Sequence, residues 1–484
     1  MSDPRRPDRR TFLATAAAAL ASPFLAAAGG TASGMRAGAG RALVQAARPV
    51  PSPAQLVWQR DELALFLHFG INTFTDREWG EGDEDPRLFA PSALDTRQWA
   101  RAARAAGFRA LILTAKHHDG FCLWPSRTTA HSVASSPWRS GGGDVVREFV
   151  DACRAEGLRA GLYCSPWDRN APSYGDSPRY NELYREQLSE LLTRYGPIHE
   201  VWFDGANGEG PNGRRQQYDW PRVWSLVRRL QPNAVMFSDA GPDVRWIGNE
   251  RGVAGDPNWS TVDPAVVPAP GVAGDAVMRQ LQHGDPDGTV WRPGATDVSI
   301  RPGWFWHPAE DERVRTAEDL VGLFFTSVGR NSKLLLNVPP TRAGLLHETD
   351  VMRLAGMHER LSSLFAEDLA AGKAGPWRST GERSAQIEVD LGGTFAVNLV
   401  DLREDIAGGQ DVARHALEGW SDGGWRMLAA GATIGYRRLH RFEGVPVRRL
   451  RLRIEDAVAR PRPVRLLAYG LAGSMSTTIA RHLP

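Results

Sequence analysis

The sequence has 484 residues, of which 42% are hydrophobic and 24% charged, a soluble-globular balance with length enough for two domains. Four Arg and two Asp in residues 1–30 account for the whole formal net charge of +2, so the remainder is electrically balanced. A balanced body lacks the basic surface that holds nucleic acid or an anionic membrane, and neither is expected as a partner.

In chain order, Arg9-Arg10-Thr11-Phe12-Leu13 leads into an Ala-rich apolar run ending near Ala28. Such a run is too short and too weakly apolar to span a bilayer, so residues 1–30 read as an export signal. The Arg pair before Phe-Leu resembles a twin-arginine signal, with an ordinary Sec signal as the alternative. The expectation is an exported bacterial protein, periplasmic or extracellular, with no membrane insertion after signal removal. Residues 31–53, rich in Gly, Ala and Pro, read as a flexible lead-in. Cys122, Cys153 and Cys164 fit no zinc or disulfide spacing and read as core thiols.

From residue 63, apolar runs of strand length alternate with segments of helical period. Strands are expected over 63–74, 109–118, 159–166, 198–206, 234–240, 298–306 and 333–339. Helices are expected over 96–106, 144–156, 179–195, 222–230 and 317–328, with Gly107, Gly157 and Gly196 closing three of them. Repeated strand–helix units imply an α/β fold with a parallel sheet. Continuous apolar strands with polar ends favour a (β/α)8-type barrel over residues 54–370, whose strand ends line one rim. An open doubly wound sheet is the alternative, but no Gly-rich phosphate loop follows the first strand. After Pro376 the period changes to two. Ile387, Val389 and Leu391 alternate with polar residues, as do Leu450, Leu452 and Ile454 with arginines, giving a C-terminal antiparallel β-sandwich over 376–472.

On the barrel reading the strand ends deliver His68, with Glu78 and Trp79 in the loop beyond. Next come Lys116, His117, His118 and Asp119, then Tyr163, Ser165, Trp167 and Asp168, then Trp202 and Asp204. Asp239, Asp243, Asn249 and Glu250 follow, and finally Trp304 and His307. Metal-assisted hydrolysis fits poorly, because adjacent residues of a strand point to opposite faces and no HExxH spacing occurs, so no metal or other cofactor is expected. A serine nucleophile lacks its GxSxG elbow. Paired carboxylates, one attacking and one protonating a leaving oxygen, suit glycoside hydrolysis in a pocket of histidines and tryptophans.

FLHFGINTF, EWGEG, LTAKHHDGFCLWPS, GLYCSPWDRN, EVWFDGA, RWIGNERG and RPGWFWH occur in this order over about residues 60–340. This series resembles the α-L-fucosidases of glycoside hydrolase family 29. The resemblance implies a retaining mechanism with Asp204 as nucleophile. It implies fucose binding by His68, Glu78, Trp79, His117, His118 and Tyr163, with Trp202 beside the nucleophile and Trp304 and Phe305 near the C6 methyl. The GNE and SPWDRN segments resemble the subgroup that cleaves α-1,3 and α-1,4 fucose, which nominates Glu250 as acid/base and brings Trp167 and Asp168 to the leaving sugars. Glu78, Glu209 and Glu310 are the rival acids. The expected partner is a fucosylated oligosaccharide or glycan. The alternatives are a fucosidase of broad specificity and a fucose-binding protein without turnover.

Overall fold

The computed structural model describes residues 48–470. The expected signal, residues 31–47 of the lead-in and the last two residues of the expected sandwich lie outside the described residues. The first ten strands are β1 (Leu63–Leu67), β2 (Ala110–Lys116), β3 (Arg159–Cys164), β4 (Glu200–Trp202), β5 (Val235–Ser238), β6 (Val244–Trp246), β7 (Thr261–Val262), β8 (Val290–Trp291), β9 (Gly294–Ser299) and β10 (Ser332–Asn337). Eight of them close into a barrel in the order β1-β10-β9-β6-β5-β4-β3-β2. Every pairing in it is parallel, while β7 and β8 form a separate antiparallel ribbon. β1 and β2 are buried at every position, as strands must be when one face meets the barrel interior and the other meets helices.

Side-chain caps start the surrounding helices. Asp95 accepts from the amides of Arg97 and Gln98 ahead of Thr96–Ala105, Asp144 from Arg147 ahead of Val145–Ala155, and Asp219 from Arg222 ahead of Trp220–Leu230. Thr316 and Asp319 form a capping box for Ala317–Thr326. Each cap contributes on the order of 1 kcal/mol.

Three departures from the sequence reading matter for the site. The expected strand over 63–74 ends at Leu67, and Ile71–Thr75 is a short helix. β6 was not expected, because only residues 239–243 join it to β5, with no helix between them to mark a unit. The expected strand over 298–306 is instead β9, ending at Ser299, followed by a strap of loop and a 3-10 helix, Pro308–Arg313. The helices Asp275–His283 and Glu348–Leu364 were also not expected.

Lys333 has its place at the N-terminal ends of the strands. Its Nζ lies 3.8 Å from Asp61, 3.9 Å from Glu200 and 4.7 Å from the Trp58 ring centre. Trp58 Nε1 donates to Glu200 at 2.8 Å and Arg159 donates to Asp61 at 2.6 Å. Burial pushes the Lys333 pKa down against the pull of the two carboxylates. This cluster plugs the barrel floor, the end that serves stability rather than chemistry in such barrels.

The C-terminal unit contains β11 (Arg378–Ser379), β12 (Ala385–Glu404), β13 (Val412–Ser421), β14 (Gly424–Gly431), β15 (Arg438–Ala457) and β16 (Val464–Gly470). β12 and β15 pair antiparallel along their 20-residue lengths, with irregularities between Asp390 and Phe395 and between Val397 and Leu399. On one side of that break the sheet continues to β11, β13 and β14; on the other it continues to β16. The two parts enclose one core of Ile387, Val389, Val400, Leu402, Leu417, Leu450, Leu452 and Leu466. Arg437 ties this unit to the barrel by donating to Asp401 within it and to Glu62 beside β1.

Inside the sandwich, His415 Nδ1 lies 2.8 Å from the Ala432 carbonyl and must donate to it, so its bare Nε2 accepts from His440 Nε2 at 2.7 Å. Burial pushes His415 down to about 4 and His440 down to about 2. Both rings are neutral in the fold, whereas the unfolded chain takes up protons below about pH 6.5. Their contribution is therefore complete above about pH 6.5 and declines as pH falls, by about 1.4 kcal/mol per pH unit per ring until the folded pKa is reached. Thermal melts of wild type and the double variant His415→Gln/His440→Gln at pH 7, 6 and 5 test this. The wild type should lose more melting temperature than the variant, and equal losses would refute the assignment.

Candidate active site

Two of the histidines at the C-terminal rim are each held through Nδ1 by a polar neighbour. His68, just past β1, has Nδ1 at 2.8 Å from Asn337 Oδ1 at the end of β10. The Asn337 amide nitrogen donates to Ser299 Oγ and to the Trp304 carbonyl, so its oxygen accepts from His68 Nδ1. His118 Nδ1 lies 2.8 Å from Ser165 Oγ, whose proton goes to the Trp167 carbonyl. That fixes His118 with its proton on Nδ1 and places Nε2 3.9 Å from Asp204 Oδ2.

His117 and His118 do not diverge. β2 ends at Lys116, so the strand rule no longer applies, and the two rings lie 4.1 Å apart. The His117 ring is 5.5 Å from His68 and 5.8 Å from Tyr163. Lys116 turns away from them into a buried niche, donating to Asp168 at 2.9 Å, Gln187 at 2.8 Å and Tyr180 at 3.3 Å. Burial is the largest single influence and opposes its charge, but Asp168 together with Cys164 and Cys122 outweighs it and the pKa is raised. Asp119 is pushed up to about 8 by burial and by Glu84 and Asp168 nearby, so it is largely protonated at neutral pH.

Asp204 follows β4 and is 7% exposed. Its Oδ1 accepts from the Ala206 amide at 2.7 Å and its Oδ2 from the Tyr163 hydroxyl at 3.2 Å. Trp202 stacks on Phe237 at 4.4 Å and packs against Tyr163, closing the barrel interior beneath the carboxylate. Behind Asp204, Asp239 Oδ2 accepts from the Gly271 amide at 3.1 Å. A Cβ at Gly205 would sit 2.4 Å from that same oxygen, so only glycine fits after Asp204.

The walls are aromatic. The Trp79 ring is edge-on to His118 at 6.0 Å and to Trp167 at 5.7 Å, and Trp167 lies 4.9 Å from His118. Trp304, partly exposed, is 5.1 Å from His68, while Phe305 is buried behind the histidines, edge-on to His68 at 5.5 Å and to His117 at 5.0 Å. Glu78 grips that wall: Oε2 accepts from the Trp304 amide at 2.8 Å, and Oε1 from the Phe305 amide at 3.2 Å and from His307 Nε2 at 2.6 Å.

Glu250 is half-buried in the loop after β6. Gly248 and Gly252 bracket this loop with φ of 81° and 70°, backbone that other residues adopt at a cost. Asn249 fastens it by donating to the Val253 carbonyl at 2.9 Å and to Gln282 Oε1 at 3.0 Å.

Some expected site residues have other employment. Asp168 is buried, with Oδ2 on Lys116 and Oδ1 on the amides of Asn170 and Ala171, so it shapes the loop carrying Trp167. Asp243 pairs with Arg228 and accepts from the Met236 amide. Of the rival acids, Glu310 is buried on the Gly303 amide and Arg313, and Glu209 is exposed. The sequence reading places Ser165 and His307 at the rim without a role and does not single out Asn337. No group of three or more His, Cys, Asp or Glu among the described residues is arranged to hold a metal ion. The site therefore presents one oriented, buried carboxylate beside a group of histidines and a tyrosine, between aromatic walls.

The α-L-fucosidase family model matches residues 78–363. Alpha-L-fucosidase 1 of Arabidopsis thaliana is 43% identical over 443 residues, which span 85% of this chain and 86% of the plant protein. The crystal structure of a glycoside hydrolase 29 family member from an unknown rumen bacterium superposes with a TM-score of 0.82 at 41% identity, covering 90% of this chain and 79% of that one. A Ruminococcus gnavus glycoside hydrolase 29 fucosidase in complex with fucose gives a TM-score of 0.78 at 31% identity, covering 90% and 96%. A family match over more than half the chain, with a plant relative that runs along most of its length, places the protein among the α-L-fucosidases of glycoside hydrolase family 29.

Proposed function

We propose that the enzyme is exo-acting and retaining, and that it removes terminal α-1,3- or α-1,4-linked L-fucose from branched oligosaccharides with Asp204 as nucleophile and Glu250 as acid/base. The carrying observation is the Asp204 carboxylate, buried at the end of β4 and oriented by hydrogen bonds from the Tyr163 hydroxyl and the Ala206 amide. Asp204 attacks the anomeric carbon while Glu250 protonates the departing oxygen; Glu250 then takes a proton from the water that releases fucose. His68 and His118, held through Nδ1 by Asn337 and Ser165, form with His117 and Tyr163 the set that meets the sugar hydroxyls. Trp79 and Trp304 supply flat surfaces for the apolar faces of the ring and its methyl group. The fold neighbour that holds fucose supports the same occupant here.

The linkage preference rests on the rim beyond the nucleophile. Trp167 is anchored by its Nε1 to the Glu209 carbonyl at 3.0 Å and stands next to Trp79, where the branching sugars of a trisaccharide would lie. Binding energy from those sugars should be spent in the transition state, so truncated substrates lose rate. A panel of α-1,2, α-1,3, α-1,4 and α-1,6 fucosylated oligosaccharides plus nitrophenyl fucoside tests this. The branched α-1,3 and α-1,4 substrates should give the highest kcat/KM, by about 100-fold or more over nitrophenyl fucoside, which is about 2.7 kcal/mol of transition-state binding. Comparable rates across the panel would establish broad specificity instead, and preference for α-1,2 linkages would remove the subgroup assignment.

A further inference from the structure

His307 lies between two carboxylates. Its Nδ1 is 2.8 Å from Asp76 Oδ1 and its Nε2 is 2.6 Å from Glu78 Oε1. A neutral imidazole donates from one nitrogen only, so a ring that donates to a carboxylate from each is an imidazolium. Glu78, on the inner side, passes the constraint to the amides of Trp304 and Phe305. The packing leaves no slack: a Cβ at Gly303 would lie 2.5 Å from Glu78 Oε1, 2.9 Å from the His307 ring and 3.2 Å from Glu310 Oε2. Phe305 in turn presses edge-on against His68 and His117.

We propose that His307 is a positioning residue: as an imidazolium clasped between Asp76 and Glu78, it holds the Glu78 carboxylate on the amides of Trp304 and Phe305 and so fixes one wall of the sugar pocket. This rests on the proposed occupancy of the pocket by fucose. The proton on His307 acts as a latch between the loop after β1 and the strap after β9.

The charged groups facing the ring agree with this role. Asp76 and Glu78 approach from the loop after β1, Glu310 comes from the strap itself, and Arg342, from the loop after β10, lies beyond Asp76 at 3.9 Å. The hydrogen bond to Glu78 is the largest influence; with burial opposing and Asp76 assisting, the His307 pKa is raised from 6.5 to about 9. The folded value is the raised one, so the latch is complete below about pH 6.5 and opens as pH rises through about 9.

The test compares wild type, His307→Gln and Asp76→Asn, all as the full chain. Gln retains one neutral donor towards Glu78 but carries no charge, and Asp76 is half exposed, so its amide cannot harm the core. Two readouts are needed: hydrogen exchange at the amides of Trp304 and Phe305 without sugar, and the affinity for L-fucose from pH 6 to 10 by calorimetry. At pH 7, H307Q should exchange those amides and bind fucose about tenfold faster and more weakly, respectively, the scale of one hydrogen bond to a charged group. Its affinity should no longer fall between pH 8 and 10, whereas that of wild type should, and D76N should move that fall to lower pH. Exchange and affinity in H307Q that match wild type at every pH would overturn the proposal, and so would loosened amides with unchanged affinity. If wild type does not bind fucose at all, the proposed occupant is wrong, and the exchange data alone then decide whether His307 is the latch.

Discussion

Replacing Asp204 by Asn is expected to lower turnover of a natural fucoside by at least about 10⁴-fold, or about 5.5 kcal/mol of transition-state stabilisation, while leaving the melting temperature close to that of wild type. The expectation follows from what each oxygen does. Asn keeps an acceptor for the Ala206 amide and a polar neighbour for the Tyr163 hydroxyl, the two contacts that set the side chain at the end of β4. What it loses is the charge and the ability to form an ester, so the loss is chemical rather than structural. Asp204→Gly goes further and opens space beside the anomeric carbon. With an activated fucosyl donor, azide can enter from the vacated face and displace the leaving group with one inversion, giving β-fucosyl azide. In wild type, a fluorinated fucosyl donor that slows the second step should leave an ester on Asp204, visible in a peptide map. An ester on Glu250 or Glu78 would falsify the assignment.

The sequence was informative wherever one strand–helix unit followed another. β1 to β5 and β10 were all legible because continuous apolar runs alternate with capped, amphipathic helices. β6 was not, since a parallel strand normally needs a crossover of a dozen or more residues and this one returns through residues 239–243 alone. Residues 300–306 read as strand because Trp304, Phe305 and Trp306 have high strand propensity. In the fold they serve a loop, held by Glu78 and by Arg301, whose buried side chain pairs with Asp311 and Asp350. The same limits shaped the site. Which residues gather at the rim was readable from their positions at strand ends, but the direction of each side chain was not. Lys116 and Asp168 satisfy each other in a buried pair, and nothing local distinguishes them from His117 and Trp167 beside them. His307 acquires its role only from Asp76 and Glu78, more than two hundred residues earlier in the chain.

Glu250→Ala is expected to separate the two steps of the reaction. With natural sugars as leaving groups, whose oxygens depart only when protonated, the first step should slow by about 10²–10⁴-fold, the usual contribution of a positioned general acid. With dinitrophenyl fucoside the leaving oxygen needs little help, so the intermediate should form at nearly the normal rate and then accumulate, because no base remains to activate water. Azide needs no base. It should restore turnover of the dinitrophenyl substrate and, arriving after Asp204 has already inverted the centre once, give α-fucosyl azide, the opposite anomer to that from Asp204→Gly. The loop geometry makes this a clean substitution: Asn249 and the two flanking glycines hold the backbone whatever side chain stands at 250. If activated and natural substrates are slowed alike and azide restores neither, Glu250 binds sugar and the proton must come from elsewhere. Glu78 is committed to the Trp304 and Phe305 amides and His307, and Glu310 to the Gly303 amide and Arg313. Glu209, exposed beside Trp167, would then be the group to replace.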